Sequence, residues 1–329
     1  MDILFDPNKN RMTNMQLCRL YMDEFVRSSE RKWMLDGEAY YRVDNPEIMN
    51  RKMYRYREEK TTGQIEKVLD RSKPNNKRAH GFMHLLIEDK TNYLLSKPYT
   101  LTCEESEEYL SMVQDTLGKN FQNRRLMRLG VSASNGGIAW LHPYIDEQGK
   151  FQTMIIPPEQ GIPLWRDNDH EELNGFIWFY NVQVIEGQEQ KTVTKVEYWL
   201  SEAVAYYISD SEGEGWDLRL DSERYLDAVA DENREFMEHF HIGNEAGNWG
   251  KVPFVPFKNN DYKLPDLKFV KSLIDGYDKA RSDVANFLDE VRSIVYALKG
   301  YGGHDLGEFM RDLNYFRAIS LDEDGGAEA

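Results

Sequence analysis

The chain has 329 residues, of which 30% are charged and 40% hydrophobic, a balance that is typical of folded proteins and argues against an intrinsically disordered chain. The formal net charge of −16 argues against wrapping DNA through phosphate contacts, which need Lys and Arg. The sequence has no uncharged apolar run of about 18 residues, and its start, MDILFDPNKNRM, has no apolar signal core, so we expect neither a membrane span nor secretion.

The amino-terminal region, residues 1–136, is predicted to be helical. Amphipathic patterns indicate helices over residues 13–35 and 79–96, and a cluster of acids favours a helix start near Glu104. One face of the helix over 79–96 is defined by Phe82, Leu85, Leu86, Tyr93 and Leu94. The motif SNGG at 134–137 predicts a break. Both cysteines, Cys18 and Cys103, lie in helix-like contexts, and we expect reduced thiols in a reducing compartment.

The middle region, residues 137–256, is predicted to be rich in β-strands. The turn motifs EQG and EGQE each separate two strand-like runs, so each predicts a hairpin. The predicted hairpins pair residues 137–146 with 150–156 and residues 173–185 with 191–200. In the last of these runs, Val196 and Tyr198 alternate with Glu197 and Trp199, which predicts one buried face and one largely solvent-exposed face.

One long helix is predicted over residues 266–299. Pro265 stands where the first turn of a helix tolerates proline, and Gly300 marks the end. The span contains 34 residues, so the helix would be roughly 51 Å long at 1.5 Å per residue. Its six acids and six bases leave it without net charge. With the regions before it, the helix gives a predicted α+β fold class.

The apolar residues of this helix recur every seven residues at two positions, as in the seam of a coiled coil. The seam residues are Val270, Leu273, Tyr277, Ala280, Val284, Phe287, Val291, Ile294 and Leu298. A helix of this length buries only one stripe within its own domain, so the pattern indicates packing against neighbours, often copies of the same chain. Periodicity alone leaves open an internal helix of an ordinary α+β core.

The charges are unevenly distributed along the chain. Residues 202–238 contain twelve acids and three bases, whereas residues 51–80 contain ten bases and four acids. This segregation indicates contacts with neighbours of opposite charge, such as copies of the chain, and two solvated faces would explain it equally well.

No catalytic, cofactor or metal site is predicted. His239 and His241 would point the same way on a strand, but no Cys or third His stands nearby to complete a metal site. The stretch GYGGHDLG at 300–307 follows a helix and lacks the GK[ST] of a phosphate loop. The stretch RKMYRYR at 51–57 interleaves bases with tyrosines as single-strand binders do, but a solvated basic face is the simpler interpretation.

Six stretches of the sequence carry a resemblance when they are taken in order. They are GEAYYRVDN at 37–45, NNKRAHGFMHLLIEDKTNYLLSKPY at 75–99, WLHPYIDEQGKF at 140–151, VPFVPFKNND at 252–261, KSLIDGYDKARSDVANFLDE at 271–290 and VYALKGYGGHDLGEFMRDLNYFRAISLDEDG at 295–325. No single stretch is catalytic, and the specificity lies in the ordered set, which covers most of the chain. The set resembles the portal proteins of tailed bacteriophages, of the long-tailed (siphophage) type.

The resemblance implies a ring, usually of twelve copies, at one vertex of the capsid, through which double-stranded DNA passes non-specifically during packaging and ejection. It implies a wing at residues 1–255, a stem helix at 264–299 and a partial clip at 300–329. Besides other copies of the chain, the implied partners are the large terminase packaging motor, the head-completion adaptor, and the scaffold and major capsid proteins. No cofactor and no membrane are implied. The implied location is the virion, after assembly in the host cytoplasm.

The resemblance also implies roles for particular residues. The seam of the stem helix would pack on neighbouring copies. The candidates for contacts of the clip with partners are Tyr301, Asp305, Glu308 and Phe309. The candidates for acids that face the channel in part are Asp275, Asp278 and Asp283. The alternative for these acids is that they solvate a helix face or pair with Lys271, Lys279 and Arg281 of neighbours.

The sequence departs from the family at its carboxyl end. Family members continue with the rest of the clip, a second stem helix, a channel loop and a crown, whereas this sequence stops at LDEDGGAEA. We interpret it as a chain truncated within the clip. Two other functions stay open: a coiled-coil scaffold or adaptor, and an α+β enzyme with an unrecognised site. The β-rich middle disfavours the scaffold, and the lack of a converging set of acids or histidines disfavours the enzyme.

Overall fold

The computed structural model describes residues 12–58, 65–120, 124–187, 189–210, 215–225, 235–243, 245–292, 297–299 and 326–328. These residues form a mixed α+β fold, which confirms the predicted class. The chain divides into two compact units. Unit 1 comprises Met1–Pro46 and Gly81–Ser272, and unit 2 comprises Glu47–His80 and Leu273–Ala329.

The helices of the described residues are α1 (Asn14–Val26), α2 (Ser29–Tyr41), α3 (Pro46–Met49), α4 (Phe82–Leu95), α5 (Glu107–Asn120), α6 (Leu126–Gly136), α7 (Ser222–Tyr225) and α8 (Leu267–Arg292). The single helix predicted over 13–35 is two helices, because Ser28 caps α2 by accepting the backbone N–H of Arg31 at 3.1 Å. The break predicted at 134–137 falls only at Gly137, so Ser134 and Asn135 are helical.

The strands of the described residues are β1 (Tyr54–Glu58), β2 (Ile65–Leu69), β3 (Ile138–Ile145), β4 (Phe151–Ile156), β5 (Gly161–Trp165), β6 (Leu173–Glu186), β7 (Glu189–Trp199), β8 (Val204–Ser209), β9 (Arg219–Leu220), β10 (Phe240–Ile242), β11 (Glu245–Gly247), β12 (Val255–Lys258), β13 (Ala297–Lys299) and β14 (Gly326–Glu328). The largest sheet has five antiparallel strands in the order β5-β6-β7-β8-β9, and a second sheet has the order β12-β3-β4. Both predicted hairpins are confirmed, as β3–β4 and β6–β7.

The five-stranded sheet is buried on both faces, which corrects the expectation of one solvent-exposed face. On one face, Ile177, Val196 and Tyr207 pack with Cys18 and Met22 of α1. On the other face, a second buried cluster holds residues of both sheets: Met34, Ile138, Trp140, Ile156, Phe176, Trp199, Val204 and Phe254. The rings of Phe176 and Phe254 stack at 3.9 Å between centroids. The alternating sequence pattern predicts that one face of the sheet is exposed to solvent. Instead, aromatic side chains at alternate positions pack on that face.

Gly137 ends α6 and cannot be replaced without strain. Its φ of 83° lies in the left-handed region, which favours glycine at the end of a helix. A Cβ atom at this position would stand 2.1 Å from the backbone oxygen of Lys263. The close approach lets the Gly137 carbonyl accept the N–H of Asn259 at 2.9 Å, just before the chain turns into α8.

A polar cluster in unit 1 fixes the start of α8. The Asp266 carboxylate accepts hydrogen bonds from Lys90 Nζ at 2.7 Å and from Asn259 Nδ2 at 2.8 Å. The backbone N–H of Asp266 donates to the Ser134 carbonyl of α6 at 2.9 Å. An acid at the amino end of a helix is favourable, and the next residue, Leu267, is fully buried. The helix therefore begins at a position held by three other segments of unit 1.

Candidate assembly surface of the long helix

The long helix α8 runs over Leu267–Arg292, which corrects the predicted span of 266–299 at its carboxyl end. Residues Ala297–Lys299, which were assigned to the helix, form β13 and pair with β14. Residues 293–296 lie outside the described residues, and the strand that follows them excludes a continuous helix to residue 299. Leu298 is thus not on the helix. Ile294 lies outside the described residues, as do the clip candidates Tyr301, Asp305, Glu308 and Phe309.

The buried face of α8 within unit 2 carries polar side chains beside the apolar Ile274 and Ala285, which are 5% and 8% exposed. Asp278 and Ser282 are fully buried and Asn286 is 4% exposed. These residues are four apart, so they lie above one another on the helix surface. A polar face in this position requires hydrogen-bond partners, because an unpaired buried polar group costs about 1–3 kcal/mol.

An extended segment of unit 2, residues 76–80, supplies those partners and forms what we call the polar clasp. The backbone N–H of Asn76 donates to Asn286 Oδ1 at 2.6 Å, and its side-chain amide donates to Asp289 Oδ2 at 2.7 Å. The backbone N–H of Arg78 donates to Ser282 Oγ at 3.0 Å. His80 Nδ1 and Asp278 Oδ1 are 2.8 Å apart. Alternate residues of the extended segment thus meet every fourth residue of the helix.

An ion pair joins residues 51–80, which we call the basic segment, to α8 next to the polar clasp. Arg51, which precedes β1, pairs with Asp283 through its guanidinium group. The Arg51 side chain is 21% exposed and that of Asp283 is 47% exposed. The pair is therefore partly screened by solvent and contributes less than a buried one would.

Most of the apolar seam of α8 lies away from these contacts, but the ring of Tyr277 meets that of His80 edge to face, with 4.9 Å between their centroids. We call the exposed part the outer stripe: Leu273, Tyr277, Ala280, Val284, Phe287 and Val291. Leu273 is 72%, Phe287 63% and Val284 52% exposed. Val270, one turn before the stripe, is partly buried. The helix therefore departs from the usual arrangement, because it buries polar side chains beside Ile274 and Ala285 and leaves most of its apolar seam exposed. An exposed apolar stripe of this kind is typical of surfaces that contact another protein.

The three acids proposed to face a channel are in different environments. Asp278 is fully buried under the polar clasp, so the structure removes it from the candidates for a channel wall. Asp275 is partly buried, and Asp283 is exposed and paired with Arg51. The helix pattern alone does not distinguish these acids, because the distinction depends on the segment that covers the helix.

A second exposed apolar surface lies on α4 in unit 1. The face predicted from the sequence (Phe82, Leu85, Leu86, Tyr93 and Leu94) is exposed. The buried residues of α4 are Met83, Ile87 and Thr91. The apolar pattern thus predicts the helix correctly, but its most apolar face is not the face that packs in the core.

Two histidines of unit 1, His142 and His239, form hydrogen bonds within the protein. His239 Nε2 donates to the Leu200 carbonyl at 3.1 Å, and its Nδ1 accepts the N–H of Trp249 at 3.2 Å. His142 donates from Nδ1 to the Pro253 carbonyl at 2.7 Å, and burial lowers its pKa from 6.5 to about 4. In the described part of the chain, no group of three or more His, Cys, Asp and Glu residues is placed to hold a metal ion.

Two further observations concern cysteines and membranes. Cys18 is buried and Cys103 is partly buried, and neither forms a disulfide bond. Burial raises the pKa of the Cys18 thiol well above its usual value. None of the helices in the described residues is long and apolar enough to span a bilayer.

Comparison with known proteins gives one consistent family. A family model described as phage portal protein, SPP1 Gp6-like, matches residues 27–329. The portal protein of Bacillus phage SPP1 is 31% identical over 297 residues, which cover 90% of this chain and 54% of that protein. The portal protein of Clostridium phage phiCD119 is 28% identical over 312 residues, which cover 92% of this chain and 62% of that protein.

This chain thus spans between half and two thirds of the length of these relatives. The family model nevertheless covers nearly all of it, including both units and the whole of α8. The chain belongs to the SPP1 Gp6-like family of phage portal proteins.

Proposed function

We propose that this chain is a subunit of a ring-shaped portal at a capsid vertex, through which double-stranded DNA enters during packaging and leaves during ejection. The observation that carries the proposal is the outer stripe, an apolar coiled-coil seam that the chain leaves uncovered on a helix of 26 residues. In a ring, each copy meets its neighbours through two different surfaces, so a stripe on one copy is covered by another surface of the next.

The proposed division of the chain follows the family. Residues 1–255 would form the wing, α8 the part of the stem that the structure describes as helical, and residues 300–329 part of the clip. The polar clasp suits a stem helix, because it secures one face of α8 to its own chain and leaves the opposite face for neighbours. Tyr301, Asp305, Glu308 and Phe309 remain the candidates for contacts made by the clip.

The proposed partners follow from a portal's place in the capsid. Besides other copies of the chain, twelve in a ring, they are the large terminase motor, the head-completion adaptor, and the scaffold and major capsid proteins. The subunit would assemble in the host cytoplasm and remain in the virion. No cofactor or catalytic residue is part of the proposal.

The assembly proposal is tested by two carboxylates placed on the outer stripe. We expect Val284→Asp with Phe287→Asp to abolish rings, because each charge would have to be buried against a neighbour. The matched control is Ser272→Asp with Gly276→Asp, which adds the same charges at exposed positions of α8 outside the stripe. A Cβ atom at Gly276 meets nothing within 4 Å. Negative-stain imaging and light scattering measure the result, and unchanged rings in the first variant would refute the proposal.

The conduit proposal is tested by the affinity for DNA. A wall along which DNA slides must not hold phosphates strongly, and the charge of −16 suits that need. Asp283 and Asp275 are the remaining candidates for acids near the channel. We expect the assembled protein to bind duplex DNA weakly, with a Kd on the order of 1 µM or weaker at physiological salt, in an anisotropy titration. Binding near about 10 nM, typical of a specific DNA-binding protein, would contradict the conduit.

A further inference from the structure

A cavity of about 560 Å³ lies within unit 1, apart from the long helix. Its walls come from α2, α4, α6 and the segment that follows β4. Met34, Val131, Ile155 and Pro157 form its apolar lining. A cavity of this size is large enough for a long side chain or a small molecule.

The polar groups of this cavity are mainly hydrogen-bond acceptors. Glu38, Glu88 and Glu159 all line it. Asn135 lines it too and is only 3% exposed, and its carbonyl oxygen Oδ1 is buried without a hydrogen-bond partner. The Asn135 amide nitrogen is already used, since Nδ2 donates to Glu38 at 3.0 Å. A buried acceptor without a donor is costly, so the site is incomplete as it stands.

The cations that line the cavity compensate these carboxylates only in part. Arg42 pairs with Glu38 at 2.6 Å but keeps 72% of its side chain exposed, and Arg128 is exposed as well. The charge of Glu159 is compensated in part by Arg31 and Arg42. Its pKa is raised, first because burial desolvates the carboxylate and further because Glu38 lies close. An added cation inside the cavity would relieve both effects.

We propose that this cavity is a receptor for one cationic side chain, a guanidinium or ammonium group on an apolar stem, presented by another copy of the chain. The charged group would lie among Glu38, Glu88 and Glu159 and donate to Asn135 Oδ1. The stem would lie along Met34 and Ile155, as the methylenes of Lys and Arg commonly do on apolar surfaces. The assignment of another copy as the source rests on the proposed function.

The hairpin β1–β2 is the best candidate for the donor. Residues 51–80 contain ten bases and four acids. Arg55 and Arg57 alternate with Tyr54 and Tyr56 along β1, and all four side chains are exposed. A two-stranded hairpin is at best marginally stable alone, so contact with a neighbour would also stabilise the hairpin. An arginine from this hairpin carries the charge that the acceptors of the cavity require, on a long side chain.

The first test uses n-butylguanidine as a probe, with n-butylurea as its neutral isostere. We expect saturation-transfer NMR to show n-butylguanidine binding with a Kd on the order of 1 mM, and n-butylurea not to bind. Glu159→Gln, which removes charge and keeps shape, should weaken binding about tenfold. The matched control, Glu171→Gln, changes an exposed acid outside the cavity and should have no effect. Equal binding of the two probes, or no effect of Glu159→Gln, overturns the cavity as a cation receptor.

The second test identifies the source of the side chain. Two proteins, Arg57→Cys and Ser132→Cys, are prepared with Cys103→Ser, which leaves the buried Cys18 as the one native cysteine in each, and are mixed under mild oxidation. Ser132 lines the cavity. We expect a disulfide-linked dimer in the mixture and in neither protein alone. Arg71→Cys, exposed in the same basic segment but outside the hairpin, is the control and should not cross-link to Ser132→Cys.

The outcomes separate this inference from the proposed function. If the unaltered chain forms rings but no cross-link appears, another copy is not the source and the ring proposal stands. If no rings form at any concentration, the proposed function fails for this chain, and the probe titration still decides whether the cavity takes a cation. Cross-linking together with selective binding of n-butylguanidine supports the inference in full.

Discussion

The core of unit 1 and the polar clasp of unit 2 bury side chains by opposite means. Around Phe176, the core consists of packed aromatic rings, with Trp140 edge-on to Phe176 and Phe254 stacked on it, and Met34 of α2 joins the same cluster. Along α8, the covered side chains are Asp278, Ser282 and Asn286, and they are held by hydrogen bonds from an extended segment. The first arrangement removes apolar surface from water, whereas the second pairs most of its buried polar atoms, with Asn286 Nδ2 left without a partner, and gains little from apolar burial.

This difference indicates which parts of the molecule bury their apolar surface within a single chain. The core of unit 1 has its apolar residues inside, so its stability does not require a neighbour. The helix of unit 2 buries Ile274 and Ala285 but leaves the outer stripe exposed, so the free energy of burying the stripe is available only on assembly. A polar clasp can hold such a helix in place without using up the surface that assembly needs.

The largest expected effect compares one substitution in the two regions. We expect Phe176→Ala to lower the free energy of unfolding by about 3–5 kcal/mol, because Phe176 is fully buried and its removal leaves a cavity. Phe287→Ala on the outer stripe should change it by about 0.5 kcal/mol or less in the unassembled chain. Urea unfolding followed by tryptophan fluorescence, at a concentration below assembly, gives both values. Similar losses for the two variants would mean that the outer stripe is already covered within one chain.

The next prediction tests whether water is excluded from the core of unit 1 around His142. Burial lowers the pKa of His142 from 6.5 to about 4, so the folded chain keeps this ring neutral where the unfolded chain protonates it. Stability from this group is therefore fully present above about pH 6.5 and is lost as the pH falls from there to about 4. The total loss is about 3 kcal/mol.

The measurement is a pH series of unfolding free energies for the unaltered chain and for His142→Asn. The variant should lack the part of the pH dependence that belongs to His142. Taking the difference is necessary because burial raises the pKa of Glu197, which acts in the opposite direction with pH. Parallel curves for the two proteins would show that water reaches His142.

The smallest effect concerns the polar clasp. Ser282→Ala removes the acceptor of the Arg78 N–H, and we expect the local opening free energy to fall by about 1 kcal/mol. Hydrogen exchange at the Arg78 amide should accelerate roughly fivefold, while exchange in the five-stranded sheet stays unchanged. Ser209→Ala, at a serine buried in β8, is a control that should leave Arg78 unaffected. Unchanged exchange at Arg78 would show that the clasp does not depend on this bond.

The sequence predicts the β hairpins and the outer stripe because their signals are local. Turn motifs define the β3–β4 and β6–β7 pairs, and the seven-residue repeat identifies the residues that α8 leaves exposed. The break between α1 and α2 has a local signal too, since Ser28 is a typical helix cap. The amphipathic pattern continues across Ser28, however, and predicts a single helix.

The remaining features depend on contacts between distant segments. Nothing within α8 distinguishes buried Asp278 from exposed Asp283, because the covering residues lie about 200 positions earlier in the chain. A weak signal does exist: Asn76, Arg78 and His80 alternate in a segment that begins with the turn-favouring residues KPNNK at 73–77. The cavity of unit 1 also brings together residues from four separate segments, and no sequence motif marks it.

In the polar clasp, every second residue of the extended segment meets every fourth residue of the helix, and these two spacings are close in length but not equal. Two residues of extended chain advance about 6.6 Å, whereas four residues of helix advance about 6.0 Å. Three successive pairs accumulate an offset of about 1.2 Å, which rotation of side chains can absorb, and each further pair adds about 0.6 Å. The next position is Pro74, which has no N–H to donate. The mismatch in spacing and the proline together limit this run of alternate-residue contacts to the two helical turns from Asp278 to Asn286.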